Sequence, residues 1–64
     1  MYNELKSARL KANLTQKEVA EALKISQPAI AKWESGKGAA PSVSRLMELA
    51  DMYNTSVDKL IGRA

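Results

Sequence analysis

Five residues of this chain, Gln27, Pro28, Ala31, Lys32 and Ser35, have the types and spacing that most suggest chemistry with a partner. At about 100° per residue, Pro28, Ala31, Lys32 and Ser35 share one side of a helix, and Gln27 projects from its N-terminal tip. Ile30, Trp33 and Glu34 fall on the other side. An ordinary solvated face carries long Glu and Lys side chains. This one is small, neutral to basic and free of acid, so it could enter the major groove of a duplex without steric or charge conflict. Catalysis has little to work with. No histidine and no cysteine occur in the 64 residues, which removes the usual general base, disulfides and thiolate metal sites. Seven carboxylates are scattered along the chain without the spacing of a cation-binding loop. No phosphate-binding glycine loop is present either, and the chain is too short for a deep pocket. An enzyme, a metal and a cofactor are therefore not expected.

The elements that position these residues are marked by their ends. Proline in a helix interior costs ~3 kcal/mol, yet in the first turn its missing N–H is of little consequence. Pro28 thus marks the start of a new helix, capped by Ser26, running from Gln27 to about Ser35 and closed by a left-handed Gly36. Ile25 and Ile30 supply a hydrophobic staple. The preceding helix is announced by Thr15 and Glu18, spaced as a capping box, with Leu14 and Val19 as its staple. Val19, Ala20 and Leu23 form its apolar stripe, and it ends near Leu23 or Lys24. Two helices of about 16–24 and 27–35, joined by a turn of about three residues, describe a helix-turn-helix. A generic helical bundle is the competing description, which the turn alone does not exclude.

The remaining segments are helical too. A first helix is expected from about Tyr2 to Ala12, with Leu5, Ala8, Arg9 and Ala12 on one face and Asn13 as its stop. "GKGAAP" reads as a loop. Ser42 caps a fourth helix with Val43, Leu46, Leu49, Ala50 and Tyr53 inward, ended by Asn54. Ser56 caps a last short helix through Leu60 and Ile61, closed by Gly62. β-branched residues are sparse and no period-two run lasts, so the chain reads as one all-α domain spanning 1–64 with five short helices. A domain this small has a thin core. Met47, Met52, Leu60 and Ile61 could leave apolar surface exposed, either as a consequence of that thinness or as a dimer contact.

The net charge of +3 is uneven. Residues 1–40 carry seven Lys/Arg against four Asp/Glu, and residues 41–64 carry three against three. A basic first part points weakly to a polyanion, with a plain solvated surface as the bland alternative. No segment has the length and apolarity of a membrane span or signal peptide, so a cytoplasmic protein is expected.

"LTQKEVAEALKISQPAIAKWESGKGAAPS" resembles the phage repressor and Cro-like (Xre-type) helix-turn-helix domains. The likeness runs from Leu5 to Ile61, through "LTQKEVA", "ISQPAIAKWESGK", "PSVSRLMELA" and "TSVDKLI", which are specific in combination. It implies a compact five-helix, lambda-repressor-like fold and sequence-specific binding of double-stranded DNA, usually as a homodimer, by a transcriptional regulator, here expected to be a repressor. Gln27 matches the family's first base-reading position, and glutamine can pair with two atoms of adenine. Pro28 and Ala31 could pack on a thymine methyl, and Lys32 could reach either guanine or phosphate. Gln16 matches a phosphate-contacting glutamine at the start of the first motif helix. Ser35 and Lys37 match phosphate contacts near the end of the second, and Lys17 is a further candidate. With so few base readers, phosphate contacts and DNA shape are expected to carry much of the recognition. The family places a large apolar residue at Trp33, which is expected in the core. It also pairs the counterparts of Arg9 and Glu34 in a partly buried salt bridge. Two departures stand out. Lys24 occupies a turn position that is usually glycine, so a left-handed Lys24 would carry modest strain. The loop from Gly36 to Pro41 is slightly long and has Ala39 and Ala40 where many relatives carry charge. The alternative function is an antitoxin-like protein-interaction partner with the same fold. A free tail or extra domain would favour that reading, and none is expected in a sequence that stops at Ala64, just after the last helix.

Overall fold

The computed structural model describes residues 4–36 and 40–62. Five helices follow one another: α1 (Glu4–Lys11), α2 (Gln16–Leu23), α3 (Gln27–Ser35), α4 (Val43–Met52) and α5 (Val57–Leu60). Among the described residues there is no strand. The all-α, five-helix expectation holds, and α3 spans the expected residues. Of the first helix as expected, Tyr2 lies outside the described residues. Ala12 closes the helix as a turn residue, its N–H donating to the Ala8 carbonyl at 3.1 Å.

Local chemistry sets the helix starts. At α2, Glu18 N–H donates to Thr15 Oγ1 at 3.1 Å and Thr15 N–H donates to Glu18 Oε1 at 2.8 Å, which completes the capping box. Ser42 and Ser56 accept from the N–H groups of Arg45 at 3.2 Å and Lys59 at 3.1 Å. Ser26 departs from the pattern. It occupies the cap position in extended backbone, but its side chain accepts no capping hydrogen bond. A cap side chain serves the second or third helical N–H. Here the second position is Pro28, which has none, and the third, Ala29 N–H, donates to the Ser26 carbonyl at 3.2 Å. The proline that begins the helix thus also leaves its cap hydroxyl out of the capping scheme.

Three helices end alike. Asn13, Lys24 and Asn54 take φ of 60°, 59° and 53°. In each case the next residue's N–H reaches five residues back: Leu14 to Arg9, Ile25 to Ala20 and Thr55 to Ala50, at 3.2, 3.0 and 2.9 Å. This is the Schellman closure, which satisfies carbonyls that the helix end would otherwise orphan. Asparagine tolerates the left-handed conformation, whereas a lysine side chain has no local hydrogen bond to favour it.

The core draws one fully buried side chain from every helix: Leu5, Val19, Ile30, Leu49 and Leu60, each no more than 1% exposed. Ala20, Leu23, Leu46, Ala50 and Tyr53 complete it, and Trp33 packs partly buried against it. Burying such aliphatic side chains stabilises by ~1.5–3 kcal/mol each. α3 is held by α2 and α1, while α5 joins α4 to α1.

Two expectations about apolar surface are corrected. Val43 is 70% exposed rather than inward, because it opens α4 at the edge of the stripe formed by Leu46, Leu49, Ala50 and Tyr53. Leu60 is wholly buried, because α5 is a single turn with Leu60 as its buried anchor. Met52 and Ile61 pack against the core. Met47 is exposed as expected, and Leu10 joins it.

Lys24 generates a stability prediction. Lys24→Gly removes the penalty of a left-handed L-residue, part of which is offset by the freer unfolded chain. We expect a gain of ~1 kcal/mol and a rise in Tm of roughly 4–8 °C for a domain of this size. Thermal melting checks it, and an unchanged or lower Tm contradicts strain at Lys24.

Candidate nucleic-acid interface

The outer face of α3 is open. Gln27, Pro28, Lys32 and Ser35 are exposed and Ala31 is partly buried, while Ile30 on the opposite side is buried. Ser35 Oγ–H donates to the Lys32 carbonyl at 2.9 Å, within the last turn. Lys37 lies outside the described residues, as does Ala39. Lys17, on the first turn of α2, is exposed.

The acid of α3 is withdrawn from this face. Glu34 turns inward, where Arg9 grips both its oxygens: Nε donates to Oε2 at 2.6 Å and Nη2 to Oε1 at 3.2 Å. The two side chains are 8% and 5% exposed. The salt bridge between the first and third helices that the resemblance implied as partly buried is present, and it is buried. Arg9 Nη1 also donates to the Leu14 carbonyl at 2.8 Å, so the guanidinium ties together α1, the α1–α2 turn and α3. Its hydrogen bond to Glu34 pushes the Arg9 pKa further above its ordinary value, against the opposing effect of burial. Tyr53 sits close enough to feel both charges. Burial raises its pKa to about 12, with Glu34 adding to the rise and Arg9 opposing it.

A third partner of this pair was not legible in the sequence. Gln16 Nε2 donates to Glu34 Oε1 at 3.0 Å, joining the start of α2 to α3. Residues eighteen positions apart give no periodic signal, and only the crossing of α2 with α3 brings them together. Arg45 was also missed, although it had left a clue. A cation three residues into a helix opposes the macrodipole, so its place in α4 calls for a tertiary reason. Its Nη1 donates to the carbonyl of Leu23, the last residue of α2, at 3.3 Å, and to Glu48 Oε1 at 3.0 Å. There it meets the negative end of α2 and braces the turn that carries Lys24.

Among the described residues the ion pairs are Arg9–Glu34 and Arg45–Glu48. Lys17, Lys24 and Lys32 are exposed and belong to neither. The α2–turn–α3 unit therefore offers Lys17, Lys24 and Lys32 outward, while Glu34 turns inward and Glu18 is engaged in the capping box; of its acids Glu21 stays exposed.

A helix-turn-helix family model matches residues 5–60. The chain belongs to the Xre/Cro-type helix-turn-helix family. Similar members of this helix-turn-helix family include the "HTH-type transcriptional activator BcrR" of Enterococcus faecalis, 41% identical over 61 residues, covering 94% of this chain and 29% of that protein. The "HTH-type transcriptional regulator ImmR" of Bacillus subtilis is 41% identical over 59 residues, covering 92% of this chain and 46% of that protein. The "Cryptic phage CTXphi transcriptional repressor RstR" of Vibrio cholerae is 37% identical over 59 residues, covering 92% of this chain and 52% of that protein. The chain thus spans about half or less of the length of these relatives. Among the described residues, no helix is long and apolar enough to cross a membrane.

Two predictions follow from the buried pair and its neighbour. Breaking a buried ion pair from one side costs ~3–5 kcal/mol, because the other charge is left uncompensated. Arg9→Met and Glu34→Leu should each destabilise strongly, and the double variant should lose far less than their sum. Chemical denaturation of the three variants measures this, and additive losses would mean the two residues are uncoupled. For Tyr53, the folded state holds the proton to higher pH than the unfolded state does. Its contribution is whole below about pH 10 and is lost as pH rises toward about 12. Tyr53→Phe should therefore flatten the alkaline fall in stability by up to about 2 kcal/mol. Urea midpoints across that range check it, and parallel curves for the two proteins contradict it.

Proposed function

We propose that this chain binds double-stranded DNA in a sequence-specific manner, inserts α3 in the major groove and regulates transcription as a repressor. The observation that carries the proposal is the exposed, acid-free face of α3, whose one carboxylate is held on the opposite side by Arg9. Gln27 and Lys32 read base edges there, Pro28 and Ala31 pack against thymine methyls, and Gln16, Lys17, Ser35 and Lys37 meet phosphates. Family membership supports the DNA-binding reading. Repression requires only that the domain occupy a promoter and exclude polymerase. One relative is named a repressor and another an activator, so a promoter–reporter assay carrying the selected site decides the sign.

We assign a homodimer on an inverted repeat, with half-sites about one helical turn (~34 Å) apart, so that both α3 helices meet the same side of the duplex. Val43 and Met47, four residues apart on α4 and 70% and 61% exposed, offer an apolar pair for the second copy.

The test is affinity for a selected duplex and a scrambled one across a salt series. Gln27→Ala should cost ~1–3 kcal/mol on the selected duplex and relax preference at one base position. Lys17→Ala should weaken both duplexes alike and lower the salt slope by roughly one. If Gln27→Ala leaves the ratio between the duplexes unchanged in a folded protein, α3 is not the base reader, and the protein-interaction reading takes its place.

A further inference from the structure

Gln16 stands at the first position of α2, and a neighbouring carboxylate decides which end of its amide is engaged by the protein. An ionised carboxylate offers only acceptors, so the 3.0 Å contact with Glu34 Oε1 requires the amino end of Gln16. The carboxylate itself is fixed. Arg9 closes on both its oxygens at 2.6 and 3.2 Å, and the Leu14 carbonyl holds Arg9 at 2.8 Å. One hydrogen of Gln16 Nε2 is thereby engaged, and the second hydrogen and Oε1 remain.

We infer that Glu34 is a positioning residue for DNA binding: it orients the Gln16 amide so that the second Nε2–H is presented at the start of α2 as a donor to a phosphate oxygen. This rests on the reading of α2 and α3 as the DNA-binding face. A long glutamine side chain loses rotamer freedom when it makes a contact. Here the folded protein has already restricted it, so less freedom remains to be lost on binding. Arg9 makes the arrangement electrostatically tolerable. A lone carboxylate behind a phosphate contact would repel the phosphate, whereas the paired one carries a compensating positive charge. Because Glu34 belongs to α3, the same contact ties a backbone anchor on α2 to the placement of α3.

The experiment measures affinity of the full chain for the selected duplex, with Gln16→Ala, Glu34→Gln and the double variant, each confirmed folded by circular dichroism under the binding conditions. One hydrogen bond predicts a loss of roughly three- to tenfold for Gln16→Ala. Glu34→Gln, which no longer dictates the orientation, should lose a similar factor, and the double variant little more. Undiminished affinity of folded Glu34→Gln, or losses that multiply, would overturn the inference and leave Glu34 a purely structural residue. A second measurement uses the unaltered protein and so does not depend on the variants folding. In NMR spectra of the Gln16 side-chain amide, one proton should exchange slowly in the free protein and the other should shift on addition of duplex. Exchange of both protons at the rate of a free glutamine overturns the proposal. Its failure is separable from that of the wider reading: if Gln27→Ala still relaxes sequence preference, α3 remains the reader and only the positioning role falls.

Discussion

The ion pair between Arg9 and Glu34 is the constraint around which the rest of the molecule is arranged. It is buried and bidentate, and it joins α1 and the turn that follows it to α3, twenty-five residues further along the chain. A buried pair of this kind is not an efficient source of stability, since apolar residues of similar volume often serve as well or better. What it supplies is geometry. Arg9 fixes α1 against the α1–α2 turn through the Leu14 carbonyl, and Glu34 fixes α3 against both. It also removes negative charge from the outer face of α3. One interaction thus aligns the helix and sets the electrostatic character of the surface that the helix presents.

Much of the fold was legible because local chemistry fixes it. The capping box at Thr15, the serine caps of α4 and α5, and the left-handed asparagines are decided within a few residues of chain. Pro28 marked the start of α3 for the same reason. What remained hidden depends on how helices cross. The Gln16–Glu34 contact spans eighteen residues and that of Arg45 with the Leu23 carbonyl twenty-two, and no periodicity encodes either. Val43 was misplaced because a residue at the end of a stripe can fall on either side of its edge, and only the neighbouring helices decide which. The failure of Ser26 to cap could have been read in advance. Cap side chains serve the second or third N–H, and proline at the second position removes one of those donors.

The candidate site divides along the same line. The composition of the α3 face follows directly from residue order, so the exposed set around Gln27 and Lys32 could be written down from the sequence. The preparation of that face was legible only in part: the family resemblance implied the pair of Arg9 with Glu34, whereas the contacts of Gln16 on α2 and Arg45 on α4 left no periodic trace. Arg45 illustrates the difference. Its place near the positive end of its own helix is locally unfavourable, and it becomes intelligible once the negative end of α2 lies beside it. Residues that violate a local rule are thus useful pointers to tertiary roles.

Every helix contributes a side chain that is no more than 1% exposed to one shared core: Leu5, Val19, Ile30, Leu49 and Leu60. No subset of helices keeps a core of its own, so the domain has no smaller unit to fall back on when one helix detaches. Opening is then a single all-or-none event, and the fraction of molecules open at any moment governs exposure to cellular proteases. Anything that binds only the closed form lowers that fraction by mass action. For a protein that occupies duplex DNA as proposed, occupancy would thereby lengthen the lifetime of each molecule, and vacant copies would be cleared first.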